Sequence, residues 1–252
     1  MCTANGLSMV LQFLGSGDAF GSGGRFNTCF CVHGRKTAFL VDCGASSMIA
    51  IRKFVIDPNT IRGIFITHLH GDHFGGLPFF ILDAQLVSRR VGPLSIAGPP
   101  GIHDRVLAAM ENFFPGSTEV ERKFALDFIE LKTGVAQEVE GVGVTAFAVK
   151  HACGGSAFAL RFSVDGKTLC YSGDTEWVDA LREAGHGADL FIAESYYYDK
   201  QIKFHLDYAT LVQHLSEVGA KRVILTHMGV NMLARAAEAG FELAEDGMVI
   251  SV

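Results

Sequence analysis

Residues 67–76 read Thr-His-Leu-His-Gly-Asp-His-Phe-Gly-Gly. Three imidazoles and a carboxylate fall within six residues, at the end of the apolar run 64–67. His68 and His70 alternate along an extended segment, so both can face one point. Gly71 lets the chain turn sharply and aim Asp72 and His73 at a second point. Imidazole nitrogen with carboxylate oxygen suits zinc, and equally manganese or iron. Exposed loops seldom concentrate four ligand-type side chains, so a chance cluster is the poorer account.

Working outward, the same pattern of a short apolar run followed by polar or glycine-rich residues recurs. Residues 9–14 run into Gly15-Ser16-Gly17-Asp18, and 37–41 into Asp42-Cys43-Gly44. Residues 144–150 precede His151, 169–172 precede Gly173-Asp174, and Val223–Thr226 precedes His227. These runs are rich in Val, Ile, Phe and Leu, which suits buried strands. Between them, Tyr208, Leu211, Val212, Leu215 and Val218 recur at helical spacing, with Asp207 placed to cap that helix and Gly219 to end it. Residues 45–55 and 77–89 read as two further helices. Strands mixed with helices predict an α/β layered fold, whose sites form where strands end. His151, Asp174 and His227 lie at such ends and complete a ligand set that two ions need.

Composition narrows the function classes. The chain has 252 residues, 49% hydrophobic and 19% charged, with 29 Gly and 6 Pro. That is enough apolar material for a core, and it argues against disorder. No linker or repeat interrupts it, so residues 1–252 are read as one domain. The net charge is −6, and the 21 basic residues never cluster beyond pairs such as Arg89-Arg90, so a stable nucleic-acid complex is not expected. No apolar run approaches the ~18 residues of a membrane span, and the start shows no secretory pattern. Six scattered cysteines, at 2, 29, 31, 43, 153 and 170, are expected to stay reduced in a cytoplasmic protein. Cys29 and Cys31 share one face of an expected strand and read as core thiols, with a redox pair as the alternative. Gly15–Gly21 does not have the spacing of a dinucleotide loop. His33, His103, His186 and His214 read as surface residues, and Tyr196-Tyr197-Tyr198 as pocket lining or a partly buried loop. Phe79-Phe80 and Phe113-Phe114 read as core or a dimer face.

The His-x-His-x-Asp-His signature, the single His151, Ser-Gly-Asp-Thr at 172–175 and Thr-His at 226–227 together resemble the metallo-β-lactamase superfamily. Within it the chain is most similar to the ribonuclease Z-like phosphodiesterase branch. That similarity rests on Phe-Leu-Gly-Ser-Gly-Asp-Ala-Phe at 13–20 with Arg25-Phe26-Asn27, Ile-Ala-Gly-Pro-Pro-Gly at 96–101, and Glu194 followed by His205. The resemblance implies a four-layer αβ/βα sandwich with two ions, zinc or alternatively manganese or iron, at one edge of the sheets. It implies that His68, His70 and His151 hold one ion, that Asp72, His73 and His227 hold the other, and that Asp174 bridges them. Asp42 matches an aspartate that supports a ligand histidine from behind. His205, 22 residues before His227, matches a histidine that protonates the leaving group, and Glu194 is placed to hold it charged. The branch commonly has a small hydroxyl residue where this chain has Asp207. The resemblance also implies a homodimer.

A two-metal-activated water attacking a small or nucleotide-type phosphodiester is the expected chemistry. In tRNA 3′-processing enzymes of this branch an arm that grips tRNA lies between the late histidine and the bridging aspartate. Here only 22 residues separate His151 from Asp174, and they read as two strands around Asp165-Gly166. Processing of tRNA is therefore the alternative reading, followed by lactonase, thioesterase, arylsulfatase and β-lactamase activity on the same scaffold. A non-catalytic metal scaffold is the outside option, and His70 argues against a di-iron redox member, where an acidic residue replaces a signature histidine.

Overall fold

The computed structural model describes residues 9–252. Cys2 and the start of the chain, read above for a leader, lie outside the described residues.

Two seven-stranded sheets face each other. The first has the order β14-β1-β2-β3-β4-β5-β6, with β1 Val10–Gly15, β2 Cys29–His33, β3 Ala38–Val41, β4 Ile61–Phe65, β5 Leu94–Gly98, β6 Leu126–Glu130 and β14 Val249–Ser251. The second runs β13-β12-β11-β10-β9-β8-β7, with β7 Ala136–Val139, β8 Val142–Ala148, β9 Phe158–Val164, β10 Lys167–Tyr171, β11 Leu190–Glu194, β12 Val223–Thr226 and β13 Glu242–Leu243. Helices α1 Ser47–Lys53, α2 Gly71–Phe74, α3 Leu77–Leu86 and α4 Ile102–Phe113 belong to the first half of the chain. Helices α5 Asp179–Gly185, α6 Tyr208–Val218 and α7 Val230–Ala234 belong to the second.

The continuous apolar runs follow from burial on both faces of each sheet. Along β2 and β3, Phe30, Val32, Phe39 and Val41 point between the sheets, while Cys29, Cys31 and Leu40 point outward under α1, α3 and α4. In the second sheet, Phe162, Leu169, Tyr171, Leu190 and Ile192 point inward, while Cys170, Phe191, Ala193 and Leu225 point outward under α5 to α7. Helix, sheet, sheet, helix is the expected four-layer sandwich. Phe39, Phe65 and Phe162 meet at its centre with ring centroids 5.2–5.3 Å apart. Truncating Phe65 there to alanine removes a fully buried ring, a loss of about 3–5 kcal/mol.

Helix α6 forms over the anticipated residues: the Asp207 carboxylate accepts from the Thr210 N–H, and Gly219 closes the helix in left-handed backbone. α3 stops at Leu86, three residues short of the expected end. The cause is Arg90, whose buried guanidinium turns inward to donate to the carbonyls of Pro58, Ile61 and Pro93. α1 is shorter than 45–55 because the Ala45 N–H is committed to the Gly71 carbonyl and Val55 stands at φ 57. α4 has Ile102, Val106 and Met110 buried at four-residue spacing, a helical signal not singled out above.

Cys29 and Cys31 are both fully buried, and burial pushes the Cys29 thiol up to about 12, so these are inert core thiols rather than a redox pair. Phe80 is in the core, whereas Phe79 and Phe113 lie at the surface with centroids 6.0 Å apart. Among the described residues no helix is long and apolar enough to cross a membrane.

Candidate metal centre

The site forms where strands of both sheets end. Asp42 follows β3, His68 follows β4, Asp174 follows β10, Glu194 closes β11 and His227 follows β12, while His151 lies in the β8–β9 connection. The motif loop turns as its sequence suggests: His70 is extended and caps the short α2, which carries Asp72 and His73. It is held against the loop after β3, where the Cys43 N–H donates to the His73 carbonyl (2.6 Å) and the Gly76 N–H to the Cys43 carbonyl (2.8 Å). Gly44 is needed for this approach, because a Cβ there would lie 2.1 Å from the Asp72 carbonyl oxygen.

The expected ligands form two clusters. Atoms of His68, His70 and His151 lie within 4.8 Å of one another, as do atoms of Asp72, His73, Asp174 and His227. Asp174 stands between the two. Its Oδ1 is 3.3 Å from His73 Nε2, and its Oδ2 is 3.4 Å from His227 Nε2 and 4.0 Å from Nε2 of both His68 and His151. Asp72 Oδ2 lies 3.2 Å from His73 Nε2 and 3.3 Å from His227 Nε2.

Which nitrogen of each imidazole is free follows from what the other one does. His73 Nδ1 donates to Asp42 Oδ2 at 2.7 Å, which leaves Nε2 facing the cluster. The Thr67 hydroxyl donates to the same carboxylate (2.9 Å) and accepts from His68 Nδ1 (3.1 Å), which leaves His68 Nε2 as the lone pair. His151 Nδ1 donates to the Phe204 carbonyl at 2.8 Å, and its Nε2 comes within 3.0 Å of His70 Nδ1. Nε2 of His68, Nε2 of His73 and Oδ1 of Asp174 are buried without a hydrogen-bond partner. Buried polar atoms without partners are costly, and here they converge with the donor chemistry that divalent metal ions take. The residues fit the metal that the motif implies.

Electrostatics separates the clusters. Burial, reinforced by His73, drives the His68 imidazole well below its ordinary value, so it stays neutral. Burial acts in the same direction on His73 and His227 but is overcome by carboxylates. Asp174, Asp72 and Asp42 hold His73 well above the ordinary range, and Asp174, Asp72 and Glu194 raise His227 to about 9.

His205 is half-buried beside the ligands, its ring centroid 4.9 Å from that of His151 and 6.1 Å from that of His227. Its Nδ1 donates to Glu194 Oε1, and although burial opposes it, this bond raises the imidazole above its ordinary value. Glu194 is fully buried, and its other oxygen accepts from the N–H of Thr175 (2.8 Å) and of Leu206 (3.3 Å). Asp207 caps α6, its carboxylate accepting from the Thr210 N–H, and it also lines the cleft beside His205. A cleft of about 400 Å³ beside His205 is lined by Glu176, Trp177, Gln201, Lys203 and Thr210. Tyr196 stacks against His205 with centroids 4.9 Å apart, so of the three tyrosines this one borders the site. His214, expected at the surface, stacks face to face on Trp177 at 4.2 Å. The roles of the Thr67 hydroxyl and the Phe204 carbonyl were not read in the sequence: a threonine and a backbone carbonyl carry no motif of their own.

Comparison with known proteins finds relatives over nearly the whole chain. The model of the family described as anti-Pycsar protein Apyc1 matches residues 9–249. Ribonuclease Z of Methanothermobacter thermautotrophicus is 27% identical over 307 aligned positions, covering 97% of each chain. The crystal structure of human tRNase Z, short form, is 27% identical and covers 96% of this chain and 99% of that one, with a TM-score of 0.77. A diphosphatase of the PhnP family is 18% identical and shares the fold, with a TM-score of 0.78 over 97% and 98% of the two chains. The chain is thus a ribonuclease Z-like hydrolase of the metallo-β-lactamase superfamily, and it belongs to the anti-Pycsar protein Apyc1 family.

Proposed function

We propose that the chain is a two-metal phosphodiesterase acting on small, nucleotide-type phosphodiesters such as cyclic or short nucleotides. The observation that carries this reading is the Glu194–His205 pair at the edge of the two ligand clusters. Hydrolysis of a phosphodiester breaks a bond to a poor alkoxide leaving group, which needs a proton as it departs. His205 supplies that proton: Glu194 accepts from Nδ1 and favours the protonated ring, so Nε2 is the donating atom. When bound, the ions supply Lewis-acid chemistry, activating water and neutralising charge on the phosphoryl oxygens. Asp42 and Thr67 orient His73 and His68 through hydrogen bonds to their Nδ1 atoms, which leaves each Nε2 directed at the site.

Small substrates are favoured by what spans His151 to Asp174. It is a connection followed by β9 and β10, joined through the tight turn at Asp165-Gly166. The alignment with the archaeal ribonuclease Z runs to 307 positions against 252 residues here, so that relative carries inserted segments. The net charge of −6 also disfavours a polyanion. RNA processing is the second reading, because relatives named ribonuclease Z match over nearly the full length.

The test uses zinc- or manganese-loaded protein on two substrates. p-Nitrophenolate leaves without a proton, whereas a nucleoside alkoxide does not. His205→Ala should therefore cut turnover of a dinucleotide or cyclic nucleotide about a hundredfold or more, and spare bis(p-nitrophenyl) phosphate by comparison. Equal loss on both substrates would end the general-acid role. No turnover of either by protein holding two ions would move the substrate class to carboxylic esters, lactones, thioesters or sulfate esters. Faster cleavage of precursor tRNA than of any small nucleotide would favour RNA processing.

A further inference from the structure

The segment that delivers His205 is strained. Ile202 and His205 pair across a tight turn, and Phe204 stands in left-handed backbone at φ 72, a position where such turns favour Gly or Asn. A bulky residue holds that conformation only if its surroundings impose it. Both polar groups of the Phe204 backbone are committed. Its carbonyl accepts from His151 Nδ1 (2.8 Å), and its N–H donates to Glu176 Oε2 (3.0 Å). The other oxygen of Glu176 pairs with the Lys150 ammonium at 2.7 Å. Lys150 directly precedes His151, its own N–H donates to the Thr175 hydroxyl (3.0 Å), and the Glu176 N–H donates to the Lys150 carbonyl (3.2 Å). Glu176 is two residues past Asp174 and belongs to neither ligand cluster.

We infer that Glu176 is a positioning residue, which clamps the strained Phe204 peptide so that its carbonyl orients His151 and its chain places His205. One carboxylate thereby ties together three segments that are distant in sequence: the strand end bearing Asp174, the loop bearing His151 and the turn bearing His205. Lys150 is exposed and Glu176 half-buried, so the pair contributes little stability by itself. Its consequence is directional, since water replacing the carboxylate would satisfy the Phe204 N–H without fixing the peptide plane. The inference rests on the reading of His151 as a ligand and His205 as the proton donor.

Glu176→Ala, Glu176→Gln and the double variant Glu176→Ala/Phe204→Gly test it, with two readouts. The first is zinc affinity without substrate, by competition with a chromophoric chelator. Glu176→Ala should weaken one of the two zinc sites about tenfold and leave the other nearly unchanged, the scale expected for loss of a ligand's outer support. The second is kcat against KM on a dinucleotide, where kcat should fall about tenfold with little change in KM. Glu176→Gln should recover most of both, because its amide oxygen still accepts from Phe204. The double variant should recover part, because glycine adopts left-handed backbone without strain. Unchanged zinc affinities in Glu176→Ala would overturn the clamp. So would a Gln variant as damaged as the Ala variant, or no recovery from Phe204→Gly. The zinc measurement needs no substrate, so it stands or falls separately from the phosphodiesterase reading.

Discussion

The two clusters of candidate metal-holding residues meet at the Asp174 carboxylate but differ in their electrostatics. His68, His70 and His151 bring three imidazoles together with ring centroids 4.7–4.8 Å apart, and the Asp174 oxygen comes no closer than 4.0 Å to His68 and His151. In the other cluster, His73 and His227 each sit 3.2–3.4 Å from the carboxylates of Asp72 and Asp174. The second cluster can neutralise itself by keeping protons on its histidines, which is the sense of the raised values there. In the first, burial drives His68 well below its ordinary value, and its Nε2 is buried without a hydrogen-bond partner.

The largest effect belongs to the residue common to both. Asp174→Ala should deplete both ions and lower hydrolysis by at least about a thousandfold. Full occupancy of either cluster in metal analysis would show that Asp174 serves only one. Asp72→Ala is the asymmetric counterpart, expected to release one ion and still abolish nearly all hydrolysis; activity retained at normal metal content would remove Asp72 from the ligand set.

Asp42→Asn comes next. Losing the carboxylate behind His73 should weaken the second cluster's zinc affinity about tenfold to a hundredfold. The first cluster should change less, because Asp42 reaches His68 only through the Thr67 hydroxyl. Equal weakening at both would blur the distinction between them.

Glu194→Gln acts on pH dependence. His205 is raised above 6.5 by its bond to Glu194, so the proton donor persists below that raised value and is lost as pH rises through it. With the charge removed, the alkaline fall of the pH–rate profile should move to lower pH. An unmoved limb would assign that titration elsewhere. The smallest effect is a difference in motion. On chelation, amide exchange should quicken around His151 before it does around His227, since the carboxylates lie 3.2–3.4 Å from the second cluster's imidazoles but 4.0 Å from His68 and His151.

Much of this protein is legible in its residues because the decisive groups are local. His68, His70, Asp72 and His73 need one strand end and one glycine to reach two points in space. α6 carries its start and stop in Asp207 and Gly219, and the alternation of apolar residues between Phe30 and Cys31 follows from a strand buried on both sides. His151, Asp174 and His227 were legible only as polar residues ending apolar runs, which is a weak signal for each alone and a strong one for three with the motif. α3 was read too long because nothing local announces that Arg90 will turn inward.

What the sequence by itself determined is therefore the layered fold and the set of His, Asp and Glu side chains that its strand ends bring together. What only the tertiary structure decided is their state. The nitrogen left free on His73 is set by Asp42, 31 positions away, and the one on His151 by a carbonyl 53 positions away. The strained peptide that supplies that carbonyl is held by Glu176, whose neighbours in sequence give no hint of the contact. Ligand identity is a property of side chains, whereas tautomer, charge and orientation are set by whatever folding packs against them.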